Sequence, residues 1–190
     1  NGVPLPADAP TVAGLLNDAG YRTGLFGKAH FEPFLDPFLR FPENRMGVTG
    51  ATDEDGRPHR GFERMEFAGY GSAGPFHFGG WLRANHPEHM ASFFPALDAT
   101  LEVSSGRGGD TDAPQVRFND VPREAYHTDW VADRAIGWLD SLAADDDWFC
   151  WLSFPDPHHP WDPPTSEQHR VSWRDLDLPD GYLEDRSARE

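Results

Sequence analysis

The sequence predicts an α/β fold, and three observations point to it. Two stretches, near residues 11–30 and 128–158, each read as a helix, then a strand, then a loop bearing histidine. Both loops fall at strand carboxyl ends, where open α/β sheets form their ligand crevices. The chain has 190 residues, 38% of them hydrophobic and 13% aromatic, enough to bury one core. Its 18 prolines and 19 glycines are scattered instead of repeating, which predicts long connections between few regular elements.

The first helix starts at Thr11, a good N-cap after Pro10; Val12, Leu15, Leu16 and Ala19 recur at helical spacing, and Gly20 stands where a left-handed C-cap belongs. Tyr21 to Phe26 follows as a strand, with Gly27-Lys28-Ala29-His30 at its end. Residues 31–78 read as irregular, with Asp55-Gly56 as a hairpin-type turn. The run Asp53-Glu54-Asp55-Gly56 is a solvated turn and not a calcium loop, because its glycine comes too early and no bidentate Glu closes the loop. Gly79 to His89 holds a short helix around Trp81 and Leu82, and residues 98–122 form a surface excursion rich in Gly, Ser and Asp.

Thr128 is the second N-cap; Val131, Ala135, Leu139 and Leu142 mark one face of a helix running to about Ala144. An acidic turn, Asp145-Asp146-Asp147, leads into an apolar run, Trp148 to Phe154, that reads as a buried strand with Cys150 as a small core side chain. The tail from Thr165 is polar and anchored by Leu176, Leu178 and Pro179.

Formal charge is −16, from 32 acidic and 16 basic residues, so no basic stripe is available for a phosphate backbone and nucleic acid is excluded as an expected partner. No run of about 18 apolar residues predicts a membrane-spanning helix. With a single cysteine, no internal disulfide is expected. Fifteen of the sixteen basic residues are Arg, and the only lysine is Lys28. A compact ammonium suits a crowded tetrahedral oxyanion pocket better than a planar guanidinium does.

Lys28 and His30, one residue apart in extended chain, are expected to face the same side. The second loop, Pro155 to Pro164, sets His158 and His159 among prolines that fix φ, so an imidazole is presented with little ordering cost. Together these groups suit contacts to a tetrahedral anion and a proton for a leaving oxygen. The plainer alternative is two ordinary loop histidines and an exposed lysine.

Thr11 to Thr23 followed by Gly27-Lys28-Ala29-His30, then Trp148 to Pro164 with its Pro-His-x-Pro loop, then Asp175 to Pro179, resembles the sulfatase family of the alkaline-phosphatase-like superfamily. The resemblance implies part of an alkaline-phosphatase-like sandwich, with a central mixed, mostly parallel sheet flanked by helices. It also implies that residues 1–190 are a partial catalytic domain, truncated at both ends. By position, it implies that Lys28 contacts the sulfate and the nucleophile, and that His30 contacts a hydrated formylglycine. His158 would contact the ester and protonate the leaving oxygen, and His159 would shape the pocket wall. Ala29 stands where the family often has an aromatic residue.

The family's nucleophile lies in a Cys/Ser-x-Pro/Ala-x-Arg motif, which these 190 residues lack: Cys150 is followed by Trp151, Leu152, Ser153 and Phe154. The acidic pair and later Asp with His or Asn that hold a divalent ion, calcium by the resemblance, are not found here either. The expectation is therefore a piece of a sulfuric ester hydrolase acting on a small-molecule or carbohydrate sulfate ester, with its nucleophile and metal ligands outside the piece. A phosphonate or phosphate ester hydrolase of the same superfamily and a non-catalytic acidic binding module remain as alternatives.

Overall fold

A computed structural model describes residues 3–33, 36, 38–69, 76–93, 116, 119–158 and 161–182. Its centre is a three-stranded sheet in the order β2-β1-β3, with β1 (Arg22–Gly27) between β2 (Arg64–Phe67) and β3 (Trp148–Ser153). Both pairings are parallel. Among the described residues the α-helices are α1 (Val12–Asp18), α2 (Pro42–Thr49), α3 (His77–Asn85) and α4 (His127–Leu139).

The central strand separates two buried clusters by the two-residue period of its side chains. Leu25 packs with Ala13 of α1, Met46 of α2, and Met65 and Phe67 of β2. Phe26 faces the other way and packs with Phe78 and Leu82 of α3 and Val131, Ala135 and Trp138 of α4. Register matches this division, since Leu25 lies opposite Met65 on one side and Trp151 on the other. Trp138 meets Phe26 at 5.5 Å between ring centroids. Gly24 leaves room for that indole, because a Cβ there would stand 3.1 Å from it.

Helix α1 begins as the sequence requires: Thr11 accepts a hydrogen bond from the Gly14 amide at 3.0 Å, and Gly20 has φ 92° just past the end. Its apolar spacing is not a core stripe, however. Ala13 is the buried residue of the helix, while Val12 and Leu15 are exposed.

The described part of residues 31–78 is not irregular throughout, for it contains α2, β2 and the first two residues of α3. Pro42 occupies the first turn of α2, where its missing N–H costs nothing, and Gly50 ends the helix at φ 64°. The Asp55-Gly56 turn is present, organised by Asp53, whose carboxylate accepts from the amides of Asp55 and Arg57. Among the described residues it joins no pair of strands, so it is not a hairpin.

The second helix-strand unit also departs from expectation in detail. Thr128 does not cap α4, which starts at His127 after a single 3-10 turn over Arg123–Ala125 and ends at Leu139. The Thr128 hydroxyl is instead donated to Asp156 at 2.8 Å. Strand β3 is an edge of the described sheet and not a buried strand: Cys150 is half-buried, and Trp148, Trp151 and Leu152 are 52%, 44% and 45% exposed. Leu176 and Leu178, expected as anchors of the tail, are exposed as well. The connection at 98–122 is described only at Val116 and 119–122, and the remainder of that expectation lies outside the described residues.

Candidate functional site

Three parallel strands end at one edge of the sheet, and the candidate groups follow two of those ends. Gly27 and Ser153 are in register at the last rung of the β1–β3 pair, and the Lys28 amide then donates to the Ser153 carbonyl at 2.8 Å. On the other side the Ala68 amide donates to the Gly27 carbonyl at 2.8 Å, which ties the exit of β2 to the same point. Gly27 cannot be another residue here: its φ is 109°, and a Cβ would stand 1.8 Å from the Ser153 oxygen. The close approach at Gly27 thus joins the Lys28–His30 segment to the start of the His158 loop.

Along that segment Lys28 is half-buried, Ala29 is buried in the Leu25 cluster and His30 is exposed. The alternation agrees with Lys28 and His30 lying away from the core while small Ala29 is turned into it. Burial lowers the pKa of the Lys28 ammonium below its ordinary value.

The second loop begins with buried Pro155, half-buried Asp156 and exposed His158. Asp156 is tied back to the start of α4: its carboxylate accepts from the Thr128 hydroxyl at 2.8 Å and from the Tyr126 hydroxyl at 3.4 Å. Buried His127 sits beside it, with Nδ1 4.0 Å from the carboxylate, and burial pulls this imidazole down to about 4. Further order comes from the His158 amide, which donates to Pro155, and from the Trp161 indole, which donates to the Pro157 carbonyl.

The structure therefore brings the Lys28, His30 and His158 loops to one sheet edge on adjacent strands. His159 lies outside the described residues. Sequence reasoning passed over two groups that shape these loops. One is Asp156 with Tyr126 and Thr128, legible only as an acid two residues before His158. The other is a buried set, Glu32, Glu43, His59 and Arg60, behind the first loop, for which the sequence holds no local signal.

In comparison with known protein families, residues 1–175 match the model of the family described as sulfatase. The chain belongs to the sulfatase family. It is accordingly a hydrolase-family chain of the alkaline-phosphatase-like superfamily, with the α/β fold of that superfamily represented here by a small parallel sheet flanked by helices. No curated protein matches the chain. Sulfatases act on sulfate esters and generally use a divalent metal. Among the described residues no group of three or more His, Cys, Asp or Glu side chains is arranged to hold such an ion. Among them, too, no helix is long and apolar enough to cross a membrane.

Proposed function

We infer that this chain supplies the anion-binding part of a sulfuric ester hydrolase, with Lys28, His30 and His158 as its catalytic groups. The observation that carries the reading is the joined exit of β1 and β3, where the Lys28 amide meets the Ser153 carbonyl and both candidate loops begin. In this reading Lys28 holds sulfate oxygens, His30 orients the hydrated nucleophile, and His158 binds the ester and gives a proton to the leaving oxygen. A formylglycine nucleophile and a divalent ion, calcium by family resemblance, belong to segments beyond these 190 residues, which would form a partial catalytic domain. The substrate is a small-molecule or carbohydrate sulfate ester.

Rates of the full-length enzyme on matched aryl sulfate and aryl phosphate esters test this function. Sulfate turnover should dominate, and Lys28→Ala should lower it by about 10² to 10³ in kcat, the loss typical of one preorganised donor. Lys28→Arg should not restore it, because the wider guanidinium displaces an oxygen of the anion. Preference for the phosphate ester would assign the site to phosphoester hydrolysis, and near-normal turnover by both variants would remove Lys28 from the machinery.

A further inference from the structure

Directly behind the Lys28–His30 segment, two glutamates grip each other's backbone. Glu43, in the first turn of α2, accepts from the Phe31 amide with Oε1 and from the Glu32 amide with Oε2, both at 2.9 Å. Glu32 returns the contact, its carboxylate accepting from the Glu43 amide at 2.9 Å. Neighbouring Asn44 extends the grip without charge, donating to the Pro33 carbonyl at 2.9 Å and accepting from the Asp36 amide at 3.0 Å. Phe31 is the residue after His30, so the first turn of α2 fixes the chain one peptide beyond the candidate imidazole.

We propose that Glu43 is the positioning residue of the Lys28–His30 loop, its carboxylate setting where the ammonium and imidazole stand by holding the amides of Phe31 and Glu32. The catalytic half of this inference rests on the proposed hydrolase function; the clasp itself does not.

Two buried carboxylates in mutual contact are an expensive way to fix a loop, since burial disfavours charge and each acid repels the other. Glu43 is pushed up to about 7, chiefly by burial, and burial raises Glu32 too. His59 approaches both carboxylates, at 3.9 Å from Glu32 and 3.8 Å from Glu43, but burial and Arg60 pull it down to about 4, so near neutrality it brings no charge. Arg60 stands 3.9 Å from Glu32, and Arg45 acts on Glu32 from α2. With Glu43 pushed up to about 7, the clasp gains charge as pH rises through that region and loses it as pH falls. Amides bonded to a charged acceptor are held roughly twice as strongly as those bonded to a neutral one.

The sign of the effect separates the clasp from ordinary unfolding. A carboxyl whose folded pKa is raised binds more protons in the folded than in the unfolded state between its ordinary value and about 7. Its own contribution to global stability therefore grows as pH falls through that window, whereas its grip on Phe31 and Glu32 weakens. Local and global protection move in opposite directions.

The test is amide hydrogen exchange on the full-length protein from about pH 8 to about pH 6, with each rate corrected for its intrinsic pH dependence. Protection of Phe31 and Glu32 should fall as pH drops through about 7, while the Lys28 amide, held by the Ser153 carbonyl, and the Asp36 amide, held by Asn44, should not follow. Glu43→Gln, which keeps the shape but loses the charge and one acceptor, should expose at least one of the two amides at every pH and abolish the step. With p-nitrophenyl sulfate it should lower kcat by about 10- to 100-fold, the effect of a small misplacement of reacting groups, with KM changed far less. Phe31 and Glu32 amides that exchange without protection in the wild-type protein at about pH 8 would overturn the clasp even if the variant failed to fold. Exposed amides with unchanged kcat would overturn its positioning role. No turnover by the wild-type enzyme on either p-nitrophenyl sulfate or p-nitrophenyl phosphate would sink the hydrolase function and the catalytic half of the inference, with the exchange readout still deciding the clasp.

Discussion

Lys28 is the one ammonium in a chain whose other cations are guanidinium groups, and it stands half-buried at the end of the central strand. Burial lowers its pKa, so it loses its proton at a lower pH than an exposed lysine with the ordinary value of 10.5. If the ammonium is needed in its charged form, kcat/KM should fall as pH rises through that lowered pKa. A pH-rate profile whose alkaline limb sits at or above the ordinary lysine value would separate the limb from Lys28. Its neighbour Gly27 is constrained by space and by φ together. Gly27→Ala would set a methyl against the Ser153 carbonyl in a backbone conformation that L-residues avoid, at a cost of about 3 kcal/mol or more. Chemical denaturation checks this through the unfolding midpoint; an unchanged midpoint would mean that β1 and β3 do not meet as closely as described.

At the scale of elements, each candidate loop is held by the start of a helix, α2 for the first and α4 for the second. Asp156 makes the second connection, and Asp156→Ala would leave the Thr128 and Tyr126 hydroxyls without their acceptor, at a cost of about 1–3 kcal/mol. Because that loop carries His158, kcat on an aryl sulfate should fall further than the stability loss alone explains; a variant with lowered stability and full activity would show that the loop needs no such anchor. The elements legible in the sequence were those with local punctuation. Thr11 and Gly20 bracket α1, and the apolar spacing from Val131 to Leu139 marks α4. Two elements were missed: β2, which has only four residues, and α2, which Pro42 and Gly50 bracket but which opens on Phe41 without a side-chain cap. Thr128 misled as a cap because its hydroxyl serves a residue 28 positions away, a contact no local pattern encodes. Likewise the apolar run of β3 signals a strand but not its place in the sheet, which here is an edge.

Across the whole molecule, the parallel order β2-β1-β3 sends every strand end to one edge, and that single fact puts loops from residues 28–30 and 155–158 side by side. The loops that carry Lys28, His30 and His158 were legible in the sequence because each is short and distinctive and follows an apolar strand. The sequence could not name Glu43, which reaches Phe31 across 12 positions and is separated from it by prolines and phenylalanines that carry no period. Membership of the sulfatase family, shown over residues 1–175, supplies the class of hydrolase to which the chain belongs. The proposal that Lys28, His30 and His158 serve one anion is tested by a crystal structure of the full-length enzyme with sulfate bound, in which the Lys28 ammonium and a His158 ring nitrogen should both lie at about 3 Å from sulfate oxygens, with His30 in the same crevice. Sulfate held elsewhere, or a His158 ring on the opposite side of the sheet from Lys28, would contradict it.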